Sequence, residues 1–166
     1  ALARWAGFKG IALDLEPYVD TWGGKAGGEE LASTVQNEGK AIAQAMYQAG
    51  PDLTLVVMQD AVHWAERDQG YHGGYRLAVP FLKGLLSVRW PKVVFATEST
   101  YGGEVDSPLQ QSFSTWQRFI RENRLPIGSF SVAPGLWPLG RSYTDKSARQ
   151  APEAFGRSLQ DAFKEA

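Results

Sequence analysis

Cysteine is absent from the 166 residues, and with it go disulfides, thiol nucleophiles and every thiolate-bound metal or cluster. A chain without thiols suits either side of a membrane, so the compartment stays open, with a secreted or periplasmic location compatible. Histidine is scarce as well. Only His63 and His72 occur; their spacing fits no zinc motif and no H-E-x-x-H is present, so neither a metal nor another cofactor is expected. No apolar stretch approaches the 18 residues of a membrane span, and no membrane partner is expected. Charge of one sign is missing too. Seventeen Lys and Arg face 18 Asp and Glu, for a net charge of −1 with no basic run. Nucleic acid is therefore not an expected partner, because phosphate binding needs a cationic field. A hydrolase triad lacks its G-x-S-x-G elbow. The segment Gly23-Gly24-Lys25-Ala26-Gly27-Gly28 lacks the G-x-x-x-x-G-K-[ST] order and reads as a flexible loop.

What remains is globular: 43% hydrophobic and 21% charged residues, enough to bury one real core. Residues 1–166 read as a single α/β unit. The opening Leu2-Ala3-Arg4-Trp5-Ala6-Gly7 resembles the last turn of a helix and its glycine stop, which suggests part of a larger domain.

Four apolar runs set the organisation: residues 11–16, 53–59, 93–98 and 127–133. The second and third are nearly continuous and rich in β-branched residues, as in parallel strands covered on both faces. Their polar ends at Glu16, Asp60 and Glu98 are 44 and 38 positions apart, and Pro134 follows 36 later. A period near 40 is a strand plus a crossover helix. The first intervening helix opens at Glu29 and Glu30, with Leu31, Val35, Ile42 and Met46 as its buried stripe, and stops at Gly50-Pro51. The second is interrupted by Pro80, where it starts or bends. The third has Ser107 as N-cap and Pro108 in its first turn, followed by Leu109, Phe113, Trp116 and Ile120. The fourth runs from about Pro152, with Phe155, Leu159 and Phe163 on one face.

The βαβαβαβα order with right-handed crossovers makes a parallel α/β sheet. Two architectures fit: about four βα units of a (β/α)8 TIM barrel, or a small open parallel sheet. The placement of polar residues and long loops after the strands favours the half-barrel, since barrels carry active residues at the C-terminal strand ends. A half-barrel needs the remaining barrel segment, from a missing chain part or a partner chain.

Asp14 and Glu16, two apart on a strand, point to the same face. Neighbouring carboxylates resist double ionisation, which suits one of them to acid catalysis. Capping a helix or pairing with a basic side chain is the plainer alternative. The stretch Gly7-Phe8-Lys9-Gly10-Ile11-Ala12-Leu13-Asp14-Leu15-Glu16 resembles the strand-four signature G-F-D-G-I-D-x-D-x-E of family 18 glycoside hydrolases, the chitinase-like barrels. Glu16-Pro17 is also similar to the Asn-Glu-Pro acid/base strand of clan A glycosidases, with Leu15 in place of the Asn. The resemblance implies that Glu16 is the proton donor and Asp14 the acid that tunes it. Lys9 and Ala12 stand where the signature has aspartate.

Glu98 ends the third run and could face Glu16 across a barrel mouth. Carboxyls about 5 Å apart would make it the nucleophile of a retaining enzyme, and a wider gap would admit a water. A buried structural acid is the alternative. Asp60 is a competing base or a sugar-hydroxyl acceptor, unless Gln59 takes the inward position. Tyr18, Trp22, Trp64, Tyr101 and Trp137 follow strand ends, where aromatic faces could stack on a pyranose and acids or amides bind its hydroxyls. Loop anchoring explains any one of them equally. The resemblance also implies a pocket-floor Trp after a late strand, a place Trp137 fits. His63, beside Trp64, is a substrate contact or a surface histidine.

The expected function is therefore a glycosidase cleaving a poly- or oligosaccharide by carboxylate acid/base catalysis. Two alternatives stand beside it: a catalytically inactive carbohydrate-binding barrel, and an open-sheet phosphate enzyme whose clustered acids hold Mg²⁺.

Overall fold

Each strand of a parallel sheet must be followed by a crossover before the next can pair, and helices fill all three crossovers. The computed structural model describes residues 6–15, 28–66, 75–100, 106–135 and 152–165. They form β1 (Gly10–Asp14), α1 (Gly28–Ala49), β2 (Thr54–Met58), α2 (Ala61–Glu66), α3 (Ala78–Leu85), β3 (Val93–Thr97), α4 (Asp106–Glu122), β4 (Phe130–Pro134) and α5 (Pro152–Glu165). The strands make one four-stranded parallel sheet in the order β1-β2-β3-β4.

The two faces of this sheet differ. Leu13, Val57, Phe95 and Val132 are in register across the four strands and belong to or pack against a single core shared with α1 to α4. Phe95 is stacked on Trp116 of α4, with ring centroids 3.8 Å apart and planes 10° from parallel. The alternate row is Asp14, Met58, Ala96 and Ala133. None of these joins the core; Asp14 is exposed and the other three are half-buried. Right-handed crossovers that always step the same way leave their helices on one side. Among the described residues, that is where the core helices lie.

The helical layer is held tightly by glycine. A Cβ on Gly39 of α1 would lie 2.3 Å from the Phe81 carbonyl oxygen, and one on Gly84 of α3 would lie 1.9 Å from that of Gln36. The two backbones therefore meet with no side chain between them. This changes the expected buried stripe of α1. Leu31 and Ile42 are 47% and 44% exposed, whereas Ala43 is fully buried and Val35 and Met46 pack against the core. Close helix approach selects small residues there, against the bulky periodicity.

Three boundaries also move. α3 begins at Ala78, so Pro80 sits in its first turn, where a missing N–H breaks no helical bond. α4 begins at Asp106, one residue before the expected cap. β4 begins at Phe130 rather than 127 and includes Pro134, tolerable on an edge strand. The indole of Trp90, fully buried, donates to the Leu85 carbonyl at 2.9 Å, fixing the return from α3 into β3. Beyond β4, Phe113 stacks on Phe130 at 5.0 Å and lines an apolar groove with Leu109 and Val132.

Replacing Gly84 with Ala should lower stability by roughly 1–3 kcal/mol in denaturant melts, because overpacking outweighs the better helix propensity of alanine. Gly156→Ala in α5, where a Cβ meets nothing within 4 Å, should instead stabilise by up to about 1 kcal/mol. Equal effects at the two sites would refute the close helix contact.

Candidate functional site

At the C-terminal end of β2 the regular alternation breaks. Gln59 has φ of 80°, a left-handed conformation that a non-glycine residue adopts at a cost of about 1–3 kcal/mol. Without it, Asp60 would continue the Val56–Met58 face, away from the core. With it, the Asp60 side chain turns to the helical side and is 2% exposed. Gln59 is itself buried at 3% exposure, and its Oε1 lies 3.4 Å from the Tyr75 hydroxyl that donates to it.

Asp60 then receives hydrogen bonds from four donors. Its Oδ2 accepts from the Thr97 hydroxyl, from the Glu98 backbone N–H at 3.2 Å and from the Ser99 hydroxyl at 3.1 Å. Its Oδ1 accepts from the Ser112 hydroxyl of α4 at 2.9 Å. All four partners donate, which complements a carboxylate that only accepts. A buried charge without such donors would cost several kcal/mol. The main-chain carbonyl of Asp60 also accepts the first bond of α2, from Trp64 N–H at 2.9 Å. Asp60 thus engages its oxygens with the protein rather than presenting them to a solute.

The turn after β3 is bound on its other side as well. Ser99 N–H donates to the Thr97 hydroxyl at 3.2 Å, Gly135 N–H donates to the Thr97 carbonyl at 2.7 Å, and the Thr100 hydroxyl donates to the Gly135 carbonyl at 2.6 Å. Glu98 is half-buried in the middle of this turn. Thr97, the last residue of β3, lies on the core side, and Val94 and Ala96 lie on the opposite face. That face also carries Asp14. Neighbouring strands lie about 4.8 Å apart and residues rise about 3.3 Å along them; because Asp14 is level with Ala96, the Asp14 and Glu98 backbones are roughly 12 Å apart.

The expected site residues therefore separate. Asp14 stands on the face without core helices, and Glu98 follows the end of β3. Asp60 supports the Glu98 turn from behind, and Gln59 provides the bend. His63 and Trp64 lie on α2 rather than in a loop, edge to face at 5.4 Å, and Trp64 packs against the core, so its ring serves packing. Glu16, Tyr18, Trp22, Tyr101 and Trp137 lie outside the described residues. No group of three or more His, Asp or Glu side chains that could hold a metal gathers among the described residues, and the acid cluster required by the phosphate-enzyme reading does not form there. No described helix is long and apolar enough to cross a membrane.

Ser112, Thr97 and Ser99 are hydrogen-bonding neighbours of Asp60 that residue order alone does not single out. Ser112 carries a signal nonetheless: it falls among the apolar residues Leu109, Phe113 and Trp116 of α4, and a hydroxyl buried there, at 4% exposure, needs a partner. No family model, curated protein or solved structure matches the chain, so any functional reading stands on the geometry and the strand-end motif.

Ser112→Ala should cost about 1.5–3 kcal/mol, the range for a hydrogen bond to a charged group, read as a lowered denaturation midpoint with unchanged m-value. Ser114→Ala, at an exposed position of the same helix, should change stability by less than about 0.5 kcal/mol. A Ser112→Ala protein as stable as its parent would contradict the buried bond.

Proposed function

We propose that the chain is part of a glycoside hydrolase of (β/α)8 barrel architecture, cleaving a poly- or oligosaccharide with carboxylate side chains at the C-terminal rim of the sheet. The observation that carries this reading is Asp14 at the C-terminal end of β1, on the sheet face that the core helices leave uncovered, with Glu98 directly after the end of β3. Parallel sheets expose neither face to water in stable folds. A sheet wound in one direction, with helices on one side, meets that requirement by curving so that its inner face becomes a barrel interior filled by its own side chains. The inner-face residues suit such an interior, with Val56, Met58, Val94 and Ala96 apolar and half-buried. Four further strands, from additional chain or a partner chain, would complete it.

In this reading Glu16 continues the alternation of Ala12 and Asp14 and stands at the rim as general acid/base, in keeping with the family 18-like strand that ends on it. Asp14, two residues earlier on the same face, would hydrogen-bond and tune it. If β1 and β3 ran on by two residues in the register Asp14–Met58–Ala96, positions 16, 60 and 98 would share one row. Asp60 is turned out of it by Gln59, and in this reading Glu16 and Glu98 would face each other across the vacated place. Glu98 is then the second carboxylate, acting as nucleophile if the carboxyls approach to about 5 Å. The sugar would be protonated at its glycosidic oxygen by Glu16 while Glu98 attacks the anomeric carbon; water then releases the glycosyl group with Glu16 as base.

Hydrolysis of a glycan panel by the intact protein tests this. Glu16→Gln should lower the rate roughly 10²–10⁴-fold, with substrates bearing activated leaving groups least affected because they need little protonation. Glu98→Gln should slow activated substrates as severely as ordinary ones. Undiminished activity in Glu16→Gln would remove it from the mechanism. A parent that binds glycans but cleaves none would point to the inactive carbohydrate-binding barrel, for which Lys9 and Ala12 would be the sequence trace.

A further inference from the structure

We propose that Asp60 is a positioning residue for Glu98, fixing the backbone from which that carboxylate acts. The proposal rests on the glycosidase reading of Glu98. Three of the four bonds to Asp60 come from consecutive residues, Thr97, Glu98 and Ser99, and they converge on one oxygen, Oδ2. A main-chain turn held in this way has little freedom to translate or rotate, and Glu98 is its central residue. The fourth bond, from Ser112 to Oδ1, anchors the carboxylate to α4, a helix locked to β3 by the Phe95–Trp116 stack. Position is thus passed from a rigid helix, through a buried carboxylate, to the peptide N–H of the reacting residue.

The chain has accepted two costs to build this arrangement. Asp60 is a buried acid, and Gln59 holds a left-handed backbone to aim it. An apolar side chain at position 60 would avoid both the buried charge and the need for four donors. Strain and buried charge placed beside a strand-end carboxylate fit a requirement for geometry at Glu98 rather than for stability alone.

The test uses the intact protein and the best glycan substrate of the panel. Asp60→Asn keeps the shape but removes the charge and replaces one acceptor oxygen by an NH2 donor. Either the amide oxygen holds Thr97, Glu98 and Ser99 as a weaker neutral acceptor, with the NH2 on the Ser112 hydroxyl, or the NH2 is turned on those three donors; the clamp is weakened in both orientations. The expected result is a kcat about 10- to 100-fold lower, the scale of a misplaced reacting group, with KM changed less than about threefold. The same substitution in a Glu98→Gln background should add almost nothing, since its effect runs through Glu98. Ser112→Ala, which loosens Asp60 without altering it, should lower kcat in the same direction by a smaller factor, and it supplies the test if Asp60→Asn does not fold. Parental kcat in a folded Asp60→Asn protein, or in Ser112→Ala where Asp60→Asn does not fold, would overturn the positioning role while leaving the glycosidase reading intact, provided Glu98→Gln is slow. Equal losses from Asp60→Asn with and without Glu98 would also overturn it. A parent without activity, or a Glu98→Gln protein as fast as the parent, would remove the underlying reading and this role with it.

Discussion

The Asp60 carboxylate joins the ends of β2 and β3 to the middle of α4 through four hydrogen bonds. Few side chains could do this. Asp60, Thr97 and Ser112 are buried, so the donors there need an acceptor, and a carboxylate offers about four acceptor positions on two atoms. Removing it would strand the buried Thr97 and Ser112 hydroxyls and free the Glu98 N–H. The bend at Gln59 and the polar pair Thr97 and Ser99 are explained together by that acceptor. The layout of the C-terminal rim, including where Glu98 stands, depends on it.

The second constraint is topological. Strands laid down in chain order by right-handed crossovers put their helices on one face. The core follows from this: Leu55, Val57, Val93 and Phe95 are fully buried on that face, while the alternate residues are not. A one-sided sheet leaves its other face to be covered. In the proposed reading, closure into a barrel would cover it and would gather strand-end acids around one mouth.

Much of this can be read from residue order. The four strands, their parallel sequence and the helices between them follow from apolar runs about 40 residues apart, punctuated by Gly and Pro. The loss of detail has physical causes. The α1 stripe departs from its periodicity because that pattern weighs large side chains, whereas the α1–α3 contact is made by Gly39 and Gly84 with almost no side chain at all. The short helix α2 has only six residues, too few to show a period. A strand-end acid at an even position should share the face of Val56 and Met58, which would put Asp60 at the mouth. A single left-handed residue reverses that parity, and nothing in the identity of a glutamine announces a positive φ. Asp14 keeps its expected face because its strand carries no such break.

The central claim is that the Glu98 peptide is clamped to a buried carboxylate. Amide hydrogen exchange at Glu98, resolved by NMR under native conditions, measures that clamp most directly. A surface turn would exchange at nearly the rate of an unstructured peptide. The account predicts that the Glu98 N–H is protected to about the same degree as Phe95 in the buried stretch of β3, opening only with larger unfolding. Fast exchange at Glu98 alongside strong protection at Phe95 would contradict it.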